Sequence, residues 1–175
     1  MKKKWLALLL LLTGCAVAPP EGVTPVTGFE LNRYLGQWYE IARLDHSFER
    51  GLSHVSATYS LRDDGGVRVL NRGYDDPAGR WKEAEGRAYF IGEPTVGSLK
   101  VSFFGPFYGG YHIIALDREH YSWVMISGPS RDYLWILARD RQLPPAVWEA
   151  LLKQARALGF ATEQLITVNQ DRGDH

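Results

Sequence analysis

The sequence predicts an all-β domain of eight antiparallel strands in succession, followed by one helix. Three observations carry this. Between residues 36 and 139, short segments alternating apolar and polar residues recur at near-even spacing, with turn signals between them. A single helical stripe comes after them, at 144–158. The length, 175 residues, suits one domain with a sizeable core. Eight such strands build either a meander barrel or a sandwich, and periodicity does not choose between them.

The first fourteen residues stand outside this domain. Lys2, Lys3 and Lys4 form a basic start, and residues 5–12 are a short apolar run. That run is far below the roughly 20 residues needed to span a bilayer but suits a signal peptide. Leu12-Thr13-Gly14-Cys15 follows, and it resembles the lipoprotein box of bacteria. The resemblance implies cleavage before Cys15 and acylation of its thiol and new amino group. Ala16, not Asp, follows the cysteine, which by the same resemblance favours transfer to the outer membrane. Removing the three lysines leaves 17 basic residues against 20 acidic ones, a net charge of −3. Attraction to anionic lipid is therefore disfavoured, and the acyl chains are the expected anchor. Cys15 is the only cysteine, so no internal disulfide is expected.

Residues 15–28 read as a tether, with Pro19, Pro20 and Pro25 among small residues. At about 3.1 Å per residue it would hold the domain up to ~40 Å from the membrane. Residues 29–175 make the folded domain. A helical turn is expected at 29–35. Strands are expected at 37–43, 54–61, 67–74, 81–91, 98–104, 111–117, 121–127 and 133–139. Asp64-Gly65-Gly66 is a hairpin signal, and Gly92-Glu93-Pro94 breaks the fourth strand. In the helix, Pro144 and Pro145 suit the first turn and Gly159 the end. A last short strand is expected at 164–168, and a disordered tail at 169–175.

Three motifs stand apart from the pattern: Gly36-Gln37-Trp38-Tyr39-Glu40-Ile41-Ala42-Arg43, Tyr111-His112-Ile113-Ile114-Ala115-Leu116-Asp117 and Leu134-Trp135-Ile136-Leu137-Ala138-Arg139. In order and spacing they resemble the three signature motifs of the lipocalins, most closely their bacterial outer-membrane branch. The resemblance implies an up-and-down barrel with the helix packed outside. Successive strands reverse, so the start of the first and the ends of the sixth and eighth share one end of such a barrel. The resemblance makes that end closed, with Gly36, Trp38, Asp117 and Arg139 as its structural residues. The open-end connections are then 44–53, 75–80, 105–110 and 128–132. The run Phe103-Phe104-Gly105-Pro106-Phe107-Tyr108-Gly109-Gly110-Tyr111 is unusually aromatic. Its rings either fold back onto the barrel or form an apolar mouth that touches ligand or bilayer.

Strand alternation, phased on an inward Trp38, assigns the interior. The expected pocket is Ala57, Val69, Ala88, Val101, Phe103, Tyr111, Ile113, Val124, Tyr133 and Trp135. Glu40, Ala42 and Ala115 are also expected inside. His54 and His112 fall on outward positions and read as solvated. The lining is mostly apolar and suits an acyl chain better than a sugar or nucleotide. The resemblance implies a fatty acid or lysophospholipid as ligand. It also implies an outer-membrane lipid carrier facing the periplasm, for lipid storage, transport or repair, with a homodimer left open.

Other classes lack support. With no excess of basic residues, nothing points to nucleic acid. No metal-spaced Cys/His cluster, Gly-x-Ser-x-Gly or phosphate-cradling loop is present, so no catalytic residue, metal or cofactor is expected. Two alternatives stay open: an envelope scaffold that binds a protein partner, and an isomerase-type enzyme of the same family. The anchor is testable directly: Cys15→Ser is expected to abolish labelling of the chain with radioactive palmitate, and label that persists would refute the assignment.

Overall fold

The computed structural model describes residues 17–171; the proposed signal segment and Cys15 lie outside them. A one-turn helix α1 (Leu31–Tyr34) leads into β1 (Gly36–Arg43). Then come β2 (Leu52–Leu61), β3 (Val67–Asp75), β4 (Arg80–Phe90), β5 (Ser98–Phe104), β6 (Phe107–Leu116), β7 (Trp123–Ser127) and β8 (Leu134–Ala138). Each pairs antiparallel with the next, and β1 pairs with both β8 and β2, so the sheet closes. The fold is an eight-stranded up-and-down barrel, and a two-residue strand β9 (Ile166–Thr167) is added beside β1. Helix α2 (Pro145–Ala157) packs outside.

Two apolar clusters result, one on each face of the sheet. The inner one joins Trp38, Ala57, Tyr59, Val69, Ala88, Ile113, Val124 and Leu137, among others. The outer one joins Ile41, Ala42, Ile114, Met125 and Ile136 to Leu151 and Ala155 of α2. That outer cluster explains why β6, β7 and β8 are apolar on both faces, unlike β4.

Bulges overturn two assignments made by simple alternation. Register shifts between Glu40 and Ala42, against β8, and between Ile113 and Ala115, against β7. An extra residue in one strand reverses the faces beyond it. Ala42 and Ala115, expected inside, therefore belong to the outer cluster, and Arg43 and Leu116 turn inward.

Four further expectations are corrected. The segment read as a free tether packs on the barrel from Val17 onward. Val26 donates to Ile113 O at 2.8 Å, Phe29 to Thr95 O at 2.8 Å, and Val23 is buried in the outer cluster. Prolines hold this segment extended, which lets it lie along a sheet as readily as in solvent. His112 and His54 are buried, not solvated. His112 bonds Ser98 Oγ at 2.7 Å, and the Val17 carbonyl and the imidazole meet over Gly110, so the packed segment covers the ring. The tail is ordered through Asp171. Gln170 Nε2 donates to Glu40 O and Val55 O, both at 2.8 Å, where β1 and β2 separate. Finally, the aromatic loop at 105–110 shrinks to a two-residue connection, because β6 starts at Phe107, paired with Phe104.

The closed end is built around one cation. The Arg139 guanidinium lies 3.9 Å from the Trp38 ring centre. It donates to the carbonyls of Arg33, Tyr34, Leu35, Gln37 and Tyr121. Trp38 Nε1 donates to Tyr34 O at 2.8 Å. Gly36 has φ +99°, and a side chain there would meet Arg139 at 3.3 Å. Asp117 does not touch Trp38. It accepts from the backbone of Glu119, His120 and Ser122, and so shapes the turn whose Tyr121 carbonyl receives Arg139. Trp38→Ala is expected to destabilise the fold by about 3–5 kcal/mol, as for other buried aromatic truncations. A urea midpoint left unchanged by this substitution would refute the closed-end account.

Candidate functional site

The barrel interior grades from a filled floor to an accessible mouth. Phe29, Tyr34, Trp38, Val67, Leu116 and Tyr121 fill the closed end. Above them, Tyr111 Oη meets Tyr34 Oη at 2.5 Å and Tyr59 Oη at 2.8 Å. Burial pushes all three hydroxyls up, Tyr59 to about 12. They stay protonated at neutral pH, a small polar knot in an apolar chamber.

Toward the mouth the inward positions become accessible. Val101, Phe103, Tyr111 and Trp135 are only partly buried although they pack against the inner cluster. On β3 and β4, the inward pairs Val67–Ala88 and Val69–Gly86 are buried, whereas Asn71 is half-buried and its partner Ala84 exposed. Phe103 owes its place to Gly86. A Cβ on Gly86 would lie 2.8 Å from the Phe103 ring, so only glycine admits the ring flat against β4.

Nine of the ten residues expected to line the pocket share this inner cluster: Ala57, Val69, Ala88, Val101, Phe103, Tyr111, Ile113, Val124 and Trp135. Tyr133 sits just before β8 and stacks on Trp135, ring centres 6.1 Å apart. It is part of the rim and not of the chamber wall.

A buried polar cluster was not legible in advance. Glu40 Oε1 accepts from Arg43 Nη1 at 3.0 Å, with both side chains almost fully buried. Arg43 also donates to Glu49 O and Leu52 O, which ties the β1–β2 loop down. Glu49 Oε2 accepts from Trp135 Nε1 at 2.9 Å and lies 2.5 Å from His46 Nε2. His46 stacks on Phe48 and meets Trp135 edge-on. Strand alternation placed only Glu40 here. The bulge hid Arg43, and Glu49 and His46 come from a loop with no periodicity to read.

The two carboxyls lie close enough to shift each other's titration. Burial, and then the neighbouring Glu49, holds Glu40 well above the usual carboxylate range. Burial acts the same way on Glu49, but hydrogen bonds from His46, Glu40 and Trp135 outweigh it and bring it below that range. The environment thus shifts the two carboxyls in opposite directions, and Glu49 accepts the Trp135 indole N–H at the mouth.

A model of the lipocalin-like domain family matches residues 29–170. The chain is a lipocalin. It is 55% identical over 161 residues to the outer membrane lipoprotein Blc of Vibrio cholerae, covering 92% of this chain and 94% of that one. With the protein of that name from Escherichia coli K12 the figures are 54% over 164 residues, 94% and 92%. Among solved structures, insecticyanin from the tobacco hornworm Manduca sexta superposes with a TM-score of 0.68. Its identity is 22%, and 87% of this chain and 86% of that one are covered. In this lipocalin the family's closed floor and accessible mouth are both present, with the Glu40–Glu49 pair at the mouth.

The pair makes stability depend on pH in a definite direction. A carboxyl raised by folding is protonated in the fold while the unfolded chain has already lost its proton. Glu40 therefore costs stability as pH climbs above the ordinary glutamate range, until it ionises in the fold as well. Glu49, lowered by folding, has the opposite sign and contributes stability that is lost only as pH falls toward its folded value. Glu40→Gln keeps a neutral donor to Glu49 and an acceptor for Arg43. It is expected to flatten the decline in urea midpoint as pH climbs above the ordinary glutamate range. Glu49→Gln is expected to lose about 1–3 kcal/mol, because Trp135 and His46 lose a charged partner.

Proposed function

We propose that this lipocalin is an outer-membrane lipid carrier, anchored through Cys15, that holds a fatty acid or lysophospholipid in its barrel. One observation carries the reading: above the packed closed end, the inward apolar side chains Val101, Phe103 and Trp135 are only partly buried. An acyl chain fits such a space, and a strand of about six residues, roughly 20 Å, matches its length. The name shared by the Vibrio cholerae and Escherichia coli relatives supports the location. The lipoprotein box at Leu12-Thr13-Gly14-Cys15 supports the anchor.

The mouth supplies what a head group needs. Trp135, Glu49, Arg43 and Glu40 gather polar atoms beside the entrance, while the chamber below offers only the tyrosine hydroxyls. An acyl tail would pass Trp135 and Phe103 and end above the Tyr34–Tyr59–Tyr111 knot. The carboxyls are committed to each other, to Arg43 and to Trp135, which favours binding over turnover.

Burying ~15 methylenes yields roughly 12 kcal/mol gross at about 0.8 kcal/mol each. Association and chain ordering consume at least ~4 kcal/mol. What is left corresponds to a Kd near micromolar. Titration of lysophospholipid or long-chain fatty acid is expected to change Trp fluorescence saturably in wild type. In Trp135→Phe the signal should vanish while calorimetric binding persists. No binding of either lipid up to its solubility limit would overturn the carrier reading.

A further inference from the structure

We infer that the open mouth of the barrel is held face-down on the bilayer, its rim phenylalanines inserted among the lipid head groups. The inference rests on the anchor proposed at Cys15 and adds the orientation of the domain and the surface that docks.

The first described residue sets the geometry. The Val17 carbonyl lies against β6, 2.7 Å from where a Cβ on Gly110 would sit and beside the His112 ring. From there the chain runs toward the closed end, passing Ile113 at Val26 and Thr95 at Phe29. The upstream chain therefore leaves the barrel near its open end. Gly110 is three residues from Phe107 at the rim, about 10 Å at the rise of a strand. Leu116, at the other end of β6, is ~20 Å further away. Cys15 precedes Val17 by two residues, a span of at most ~7 Å. A tether of fourteen free residues would allow any orientation, but two do not. An acylated Cys15 brings the mouth to the membrane and keeps the closed end off it.

The rim is built for that contact. Phe48, Phe104 and Phe107 are 65%, 80% and 77% exposed. Phe48 stands on the β1–β2 connection and the other two on the β5–β6 hairpin, on well-separated parts of the closed strand order. Large exposed rings on one end of a molecule are a poor fit to water and a good one to the bilayer interface. Just below the hairpin, Arg87 and Lys100 flank Tyr108, and Arg87 also bonds Gly105 O at 3.2 Å. Their charges lie at the level of lipid phosphates once Phe104 and Phe107 are inserted. A lipid could then pass from bilayer to chamber over Phe103 and Trp135 without crossing water.

The test uses the full lipidated chain in vesicles of phosphatidylethanolamine and phosphatidylglycerol. Acylation consumes Cys15, so Phe107→Cys offers the one free thiol for an environment-sensitive fluorophore, and Leu61→Cys, exposed at the closed end, serves as control. The Phe107 probe is expected to shift to the blue and to lose emission when the lipids carry brominated chains, while the Leu61 probe stays as in water. Intact mass reports acylation and extraction reports bound lipid, each independently. An acylated chain whose Phe107 probe remains in water, or whose Leu61 probe is quenched equally, overturns the docking and leaves the carrier standing. An unacylated Cys15 overturns the docking together with the anchor. A Phe107 probe shielded in detergent without vesicles, in proportion to protein concentration, assigns the rim to a second copy and also overturns it.

Discussion

One guanidinium closes this barrel. Arg139 leaves the end of β8, crosses the face of Trp38 and donates to five carbonyls of the chain around it. Those carbonyls belong to the end of α1, the start of β1 and the turn after β6, three segments that no strand pairing joins. A half-buried guanidinium keeps its donors satisfied by the chain wound around it. The stacking itself is worth about 0.5–2 kcal/mol. The larger consequence is that water is excluded from the bottom of the chamber. The positive φ of Gly36 and the Asp117-capped turn are both conditions for that arrangement.

The opposite end solves a different problem. An open mouth cannot be packed, so its order comes from polar contacts. Arg43 pins the β1–β2 loop by its carbonyls, Glu49 holds Trp135, and Gln170 bridges the gap where β1 and β2 part. Burial and the neighbouring Glu49 hold the Glu40 carboxyl above the usual carboxylate range. The result is a rigid rim of mixed polarity over an apolar chamber, and the rings of Phe48, Phe104 and Phe107 face solvent around it. Rigidity at the mouth favours selection by shape, and exposure of its rings favours a lipid surface nearby.

The sequence by itself determined the architecture. Strand count follows from period-two alternation and turn residues, and the inward set from Ala57 to Trp135 from that alternation phased on Trp38, whereas the barrel and the outer place of the helix follow from the resemblance of the three motifs. The three motifs likewise announced the family through residues whose roles are local to the closed end. Tertiary structure decided what alternation cannot carry. Two bulges reversed the faces of Ala42, Arg43, Ala115 and Leu116, because register is a property of a pair of strands and not of one. The Pro-rich segment from Val17 became part of the wall, His112 was buried beneath it, and Gln170 became a bridge, because each finds its partner about a hundred residues away. The Glu40–Glu49 pair shows the limit most directly: one member comes from a strand and the other from a loop, and each shifts the other's titration only once folding has brought them together.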